Sequence, residues 1–154
     1  MKKNKIKDTG LEVTELSFGT SSLGSMPDTY GYEVPEDRAQ KTLNRFFQGP
    51  VNMLDTSRNY AMGESEKRIG KAIKENGGWP NGFLLSTKLD RNMDTLVLDK
   101  NRVRESLEES LKTLNVDSVD ILFLHDPEYA KDITDITKKD GAMDELFKIK
   151  NEGL

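Results

Sequence analysis

A chain of 154 residues has room for one ordinary domain, and 34% hydrophobic content with a mean hydropathy of -0.69 makes its core a modest one. A net charge of -4 at pH 7 gives no general attraction to nucleic acid or to an anionic membrane, and the absence of cysteine excludes a disulfide framework or a thiolate metal site. No run approaches the ~20 apolar residues of a membrane helix, and the basic start from Met1 to Asp8 has no apolar stretch behind it to make a signal peptide; the expectation is a soluble cytoplasmic protein.

Lys5 to Asp8, a Thr9-Gly10 turn signal and Glu12 to Glu15 predict a small hairpin. Leu16 to Thr20 reads as a first short strand. It runs into the small-residue segment Ser21 to Ser25, where a backbone or ligand can approach closely, and then into a long loop carrying Tyr30 and Tyr32. Pro35-Glu36-Asp37 suits a helix entry, since proline fits the first position and acids suit the positive end of the helix dipole. Leu43, Phe46 and Phe47 form its buried stripe, and Gly49-Pro50 ends it. The apolar run Val51 to Leu54, broken only by Asn52, is a buried strand ending at Asp55. Tyr60 follows in a short loop, and Gly63-Glu64-Ser65-Glu66 starts a helix with Ile69, Ala72 and Ile73 on one face.

Past the break from Asn76 to Gly82, Phe83 to Lys88 is a third strand, ending in a lysine. A polar loop through Asp90, Arg91 and Asn92 leads to a helix capped by Asp99 or Asn101, with Val103, Leu107, Leu111 and Leu114 at helical spacing. Val119 to Leu124 is the fourth strand and ends at His125, the one histidine of the chain. A loop with Asp126, Pro127, Glu128 and Tyr129 follows. The last helix starts from about Asp140, sets Ala142, Leu146 and Ile149 on one side, and stops at Gly153.

Strands alternating with helices predict an α/β fold with a parallel sheet, in a single domain over residues 1–154. Right-handed crossovers bring the carboxyl ends of such strands to one rim, where loops converge on a ligand. Gly19-Thr20, Asp55, Lys88 and His125 stand at those ends, with Tyr60 just beyond one of them. Each has an ordinary structural explanation alone: the acid caps a loop, the phenol packs its ring, the lysine is solvated, the histidine is hydrogen-bonded in place. Together they form a coherent set for proton transfer. One histidine, one acid and no cysteine make a metal site the weaker alternative.

The same residues resemble the aldo-keto reductases, (β/α)8 barrels that use a nicotinamide cofactor without a Rossmann domain. The resemblance is carried by Phe18-Gly19-Thr20, by Asp55-Thr56-Ser57 with Tyr60 and Gly63 to Gly70, by Ser86-Thr87-Lys88, and by Ser106 to Leu111 through Asp117, Asp120 and Leu124-His125. Asp55 to Tyr60, Thr87-Lys88-Leu89-Asp90-Arg91 and His125-Asp126-Pro127-Glu128 are more similar to the sugar and pyridoxal dehydrogenase branch. The resemblance implies that Tyr60 exchanges a proton with the substrate while a hydride moves to or from NADP or NAD. It implies that Lys88, paired with Asp55, favours the phenolate, since a neighbouring ammonium stabilises that anion. By the same resemblance His125 hydrogen-bonds the substrate oxygen, and Gly19, Thr20 and Asp55 line the cofactor. Tyr30, Tyr32, Arg91 and Tyr129 are candidates to wall a small carbonyl or alcohol substrate, such as a sugar; a solvated loop explains them equally well. Trp79 belongs to the opposite face and is expected to pack.

A complete barrel takes about 250 residues, so the resemblance is to an N-terminal half: a hairpin and the first four βα units. In that family the pyrophosphate and adenine sites come from the second half, and no Gly-x-Gly-x-x-Gly fingerprint or Walker loop replaces them here. Open edges at the first and fourth strands would follow, and self-association with them. Three explanations are expected in descending order: a fragment of a full-length reductase, a truncated chain that pairs with itself, and an inactive half-barrel acting as an interaction module. The family's channel-associated β subunits are the precedent for the last.

Overall fold

In the computed structural model, which describes residues 1–154, the chain opens with an antiparallel hairpin of β1 (Lys3–Lys5) and β2 (Glu12–Thr14). Four parallel strands then stand side by side in chain order: β3 (Phe18–Gly19), β4 (Met53–Asp55), β5 (Leu84–Leu89) and β6 (Ile121–Leu124). Helix α1 (Pro27–Tyr30) is a single turn, α2 (Glu36–Phe47), α3 (Glu64–Glu75) and α4 (Lys100–Leu114) connect successive strands, and α5 (Thr134–Thr137) and α6 (Ala142–Glu152) follow β6. No helix is long and apolar enough to cross a membrane.

The helix ends follow their capping residues. Glu36 and Asp37 occupy the first turn of α2, and Asp99 caps α4 by accepting from the Arg102 N–H at 2.9 Å. Strand β5 runs one residue past Lys88, because Leu89 is fully buried with Val103 and Leu107 of α4. Strand β3 is shorter than the predicted Leu16 to Thr20, with Leu16 left exposed. Helices α1 and α5 lie in stretches read as loops. At four residues each, they have no apolar face for periodicity to reveal; Pro27 starts one, and the Asp132 carboxylate accepting from the Thr134 N–H at 2.8 Å starts the other.

Alternation along the strands separates two faces. Leu54 and Leu85 point outward and are buried with Leu43, Phe46, Ile69 and Ile73 of α2 and α3, while Leu89 joins Leu98, Val103, Leu107 and Ile149. Burying a side chain of this size stabilises the fold by about 1.5–3 kcal/mol. The inner face is different. Met53, Ile121 and Phe123, with Ile6 and Leu11 of the hairpin and Phe147 of α6, line an open cleft of about 750 Å³.

Asn52, the polar interruption in the apolar run, ties three segments together. It is buried, its Oδ1 accepts from the Thr14 N–H at 2.9 Å, and its Nδ2 donates to the carbonyls of Glu12 (2.9 Å) and Gly82 (3.1 Å). The hairpin is thus fixed to the start of β4. Trp79 packs as expected, its ring 5.8 Å from Phe47 and 6.4 Å from Phe83 and its Nε1–H donating to the Phe83 carbonyl at 3.1 Å.

Candidate active site

Strand register places the polar side chains. Gly19 lies opposite Asp55 and Asp55 opposite Ser86, and two-residue alternation then carries Ser86, Lys88 and Asp90 along the same face. Asp55 uses both carboxylate oxygens: Oδ1 accepts from Ser86 Oγ at 2.9 Å and Oδ2 from Lys88 Nζ at 2.7 Å. Lys88 Nζ also donates to the Thr56 carbonyl at 2.8 Å. Partly buried and charge-assisted, this pair is held far more firmly than a surface ion pair. The clamped ammonium lies 4.7 Å from the centre of the Tyr60 ring, and the His125 ring meets Tyr60 edge-on, 5.7 Å between centres and 80° between planes.

The loop bearing Tyr60 is strained. Ala61 and Met62 adopt left-handed backbone angles (φ 51° and 54°), each costing about 1–2 kcal/mol in a residue with a side chain. Gly63 continues the turn at φ 93°, where a Cβ would also stand 2.1 Å from the Arg58 guanidinium. Met62 is 89% exposed, so its conformation is imposed by the turn and not by packing of its side chain. Such strain beside a phenol set between a lysine and a histidine marks a functional loop.

A model of the aldo/keto reductase family matches residues 15–154. The chain belongs to this family. L-galactose dehydrogenase of Arabidopsis thaliana is 36% identical over 146 residues, 95% of this chain and 44% of that protein. Aldo-keto reductase YhdN of Bacillus subtilis (strain 168) is 33% identical over 131 residues, 83% and 39% of the two chains. A probable voltage-gated potassium channel subunit beta of Arabidopsis thaliana is 28% identical over 141 residues, 90% and 41%. Among solved structures, the holo form of aldo-keto reductase AKR11C1 from Bacillus halodurans superposes with a TM-score of 0.74 at 26% identity, covering 99% of this chain and 47% of that one. The chain spans less than half the length of these relatives, and its four-stranded parallel sheet corresponds to part of a (β/α)8 barrel.

The aldo/keto reductase fold brings Asp55, Tyr60, Lys88 and His125 together, as the sequence predicts. Gly19 is exposed beside them, with nothing within 4 Å of where a Cβ would stand. Thr20 is buried, and its hydroxyl donates to the Asp55 carbonyl at 2.9 Å and receives the Ser65 hydroxyl at 3.1 Å, so its side chain holds the end of β4 and does not face the open side. The four candidate wall residues form two pairs. The Tyr30 and Tyr32 rings lie 6.3 Å apart, Tyr30 Oη being 2.5 Å from Ser21 Oγ, and the Arg91 guanidinium lies 5.3 Å from the exposed Tyr129 ring.

Two residues that the sequence shows only as part of the family resemblance, with no role of their own, stand at the centre of the site: Ser57 and Asp90. Asp90 Oδ1 is 2.6 Å from His125 Nδ1, and Ser57 Oγ donates to Asp90 Oδ2 at 2.9 Å. The signal was present: Asp90 continues the alternation of Ser86 and Lys88 beyond the strand.

Glu66 is also unexpected, as a fully buried acid on α3. Burial pushes its carboxyl above the ordinary range, opposed mainly by the Thr87 hydroxyl, which donates to Oε1 at 2.7 Å. The Ser110 hydroxyl lies close enough to favour the charged form but outside hydrogen-bonding geometry, so Glu66 Oε2 and Ser110 Oγ have no partner. The folded chain therefore holds this proton to higher pH than the unfolded chain does, and stability falls as pH rises through that interval. Glu66→Gln keeps the acceptor for Thr87 and gains a donor for Ser110. It is expected to stabilise the protein by about 1–3 kcal/mol at mildly alkaline pH, with a smaller gain in acid. Equal shifts in denaturation midpoint at both pH values would show that Glu66 ionisation costs nothing.

Proposed function

We propose that this chain carries the acid-base residues of an NAD(P)-dependent oxidoreductase that interconverts a small carbonyl compound and its alcohol. One observation carries the reading: the ammonium of Lys88, clamped by Asp55, lies against the same phenol that His125 meets edge-on. A phenol so placed can give a proton to a carbonyl oxygen or take one from an alcohol. Lys88 supplies positive charge where phenolate charge appears, and Asp55 keeps that charge in position, its second oxygen tied to Ser86. His125 holds a substrate oxygen next to Tyr60. Gly19, Thr20 and Asp55 would hold the nicotinamide ribose, the first by leaving space beside Asp55 and the second by fixing the Asp55 carbonyl. When bound, a nicotinamide supplies or accepts the hydride.

Similarity to L-galactose dehydrogenase favours a hydroxylated, sugar-like substrate, and the Arg91–Tyr129 pair, beside Asp90 and after His125, would form part of its wall. Fluorescence titration of the 154-residue chain with NADPH and NADH tests the reading, followed by turnover of small aldehydes. Saturable binding with cofactor consumption is expected of a form in which a second copy of the chain completes the cofactor site, and little or none of the half-barrel alone. A self-paired chain that neither binds nor turns over would refute it.

A second reading rests on the apolar inner face, where Phe123 and Phe147 are 49% and 57% exposed beside the 750 Å³ cleft. Such a face suits an interaction module or self-association. Sedimentation of the same sample separates the two readings, since a chain that associates without binding either cofactor would favour the second.

A further inference from the structure

The groups around His125 contain a proton assignment that the roles above do not use. Asp90 is buried just past the end of β5, and its carboxylate is held from several sides. Oδ2 accepts from Ser57 Oγ at 2.9 Å and from the Asn59 N–H at 3.1 Å, while Oδ1 lies 2.6 Å from His125 Nδ1. The Asp90 N–H donates to Ser106 Oγ at 2.9 Å, and its carbonyl accepts from Arg102 Nε at 3.0 Å, so the backbone behind the carboxylate is anchored as well.

A carboxylate has no hydrogen to give, so Nδ1 is the nitrogen that carries one. Ser57 Oγ is 3.0 Å from the same nitrogen. Its hydrogen is directed to Asp90 Oδ2, and its oxygen already accepts from the Asn59 N–H at 3.1 Å. Ser57 therefore has no hydrogen for Nδ1 and reinforces the assignment. On the other side of the ring, Nε2 makes no hydrogen bond within the chain. The nearest carboxylate oxygen, from exposed Asp126, is 3.7 Å away and beyond hydrogen-bond reach.

We propose that Asp90 is a positioning residue that holds His125 as the Nδ1–H tautomer, so that the neutral imidazole presents an acceptor at Nε2 and selects a substrate that brings a hydroxyl to it. The inference rests on the reading that His125 meets a substrate oxygen, and it specifies which one. The reacting oxygen carries at most one hydrogen, and that is the one Tyr60 exchanges. A hydroxyl on the carbon next to the reacting centre satisfies Nε2 without competing for it. A bare carbonyl compound leaves Nε2 of the largely buried His125 ring without a partner, and an unpaired polar group is the strongest basis on which a site rejects an analogue.

His125 is the only histidine, so long-range ¹H–¹⁵N correlation spectra of the labelled chain report its ring without ambiguity. At about pH 9, well above the ordinary histidine range, the expected spectrum has a protonated Nδ1 and an unprotonated Nε2. The Nε2–H pattern in the wild-type chain would overturn the proposal. Asp90→Leu removes the acceptor, frees the Ser57 hydroxyl to donate to Nδ1, and should move the proton to Nε2; an unchanged tautomer in a folded Asp90→Leu chain would also overturn it. If that variant fails to fold, the wild-type spectrum still decides the tautomer. The selection is read from kcat/KM for glycolaldehyde against acetaldehyde, which differ at the neighbouring hydroxyl. A preference for glycolaldehyde of about tenfold or more is expected, falling in Asp90→Leu. Equal use of both aldehydes by the wild type would remove the selective role. The tautomer is measured without cofactor or turnover, so a failed tautomer leaves the proposed activity standing, whereas no turnover of either aldehyde removes the activity and the selection with it.

Discussion

Tyr60→Phe should lower turnover by about 10³-fold, within the range that one positioned proton donor contributes, and leave the fold and cofactor affinity unchanged. The substitution removes a single oxygen. The ring keeps its place between the Lys88 ammonium and the His125 edge, because both contacts are made by ring carbons. The Asp55–Lys88 pair keeps its partners in Ser86 and the Thr56 carbonyl, none of which depends on the phenol. Circular dichroism and cofactor titration should therefore match the parent while kcat collapses, the mark of an interaction made in the transition state. Turnover near the parent rate would take proton transfer away from Tyr60. Lys88→Met makes the complementary change, keeping the phenol and removing the charge that favours its anion. Alcohol oxidation should then recover as pH is raised, and a pH–rate profile like the parent's would exclude Lys88 from the proton transfer.

The parts of this arrangement that were legible in the sequence share one physical origin. Asp55, Lys88 and His125 each stand within one residue of the end of an apolar strand, and parallel topology sends all such ends to one rim. The four longer helices were legible for a similar reason, since each sets apolar residues three or four positions apart on one face. Ser57 was not, because a polar residue in a polar loop has no pattern to depart from, and Asp90 showed only as one more step of the Ser86–Lys88 alternation, past the end of its strand. Their significance lies in contacts across 33 to 68 positions of chain. Glu66 lies in the first turn of α3, where an acid suits the helix dipole. What composition could not show is that its face of α3 packs on the outer side of β5, where Thr87 is the partner within reach. The contact by which Thr20 ties β3 to the end of β4, its hydroxyl on the Asp55 carbonyl, also joins residues 35 positions apart and leaves no mark in the sequence.

Gly70→Ala should destabilise the fold by about 2–4 kcal/mol, against the local preference of its helix. In an isolated helix alanine is favoured over glycine by about 1 kcal/mol, so propensity alone predicts a gain. Packing reverses the sign. A Cβ on Gly70 would stand 2.0 Å from the Thr113 carbonyl oxygen and 3.1 Å from the Leu114 Cα, both backbone atoms at the end of α4 that cannot rotate aside. That end is fixed in turn by Asn115, which closes α4 with a left-handed backbone and donates from Nδ2 to the Gly70 carbonyl at 3.1 Å. Relief requires α3 and α4 to separate, which opens the contact among Ile69, Ile73 and Leu114 and exposes part of the core between the two helices. Denaturant unfolding of Gly70→Ala against the parent measures the packing cost net of the helix-propensity gain. A Gly70→Ala midpoint at or above the parent's would mean that the helices separate freely. The contact matters to the site through α3, which begins directly after the Tyr60 turn and is tied to β5 through Glu66 and Thr87. Moving α3 away from α4 therefore shifts the segment that sets Tyr60 against Lys88, and a loss of turnover larger than the loss of folded protein is expected at temperatures where Gly70→Ala is still folded.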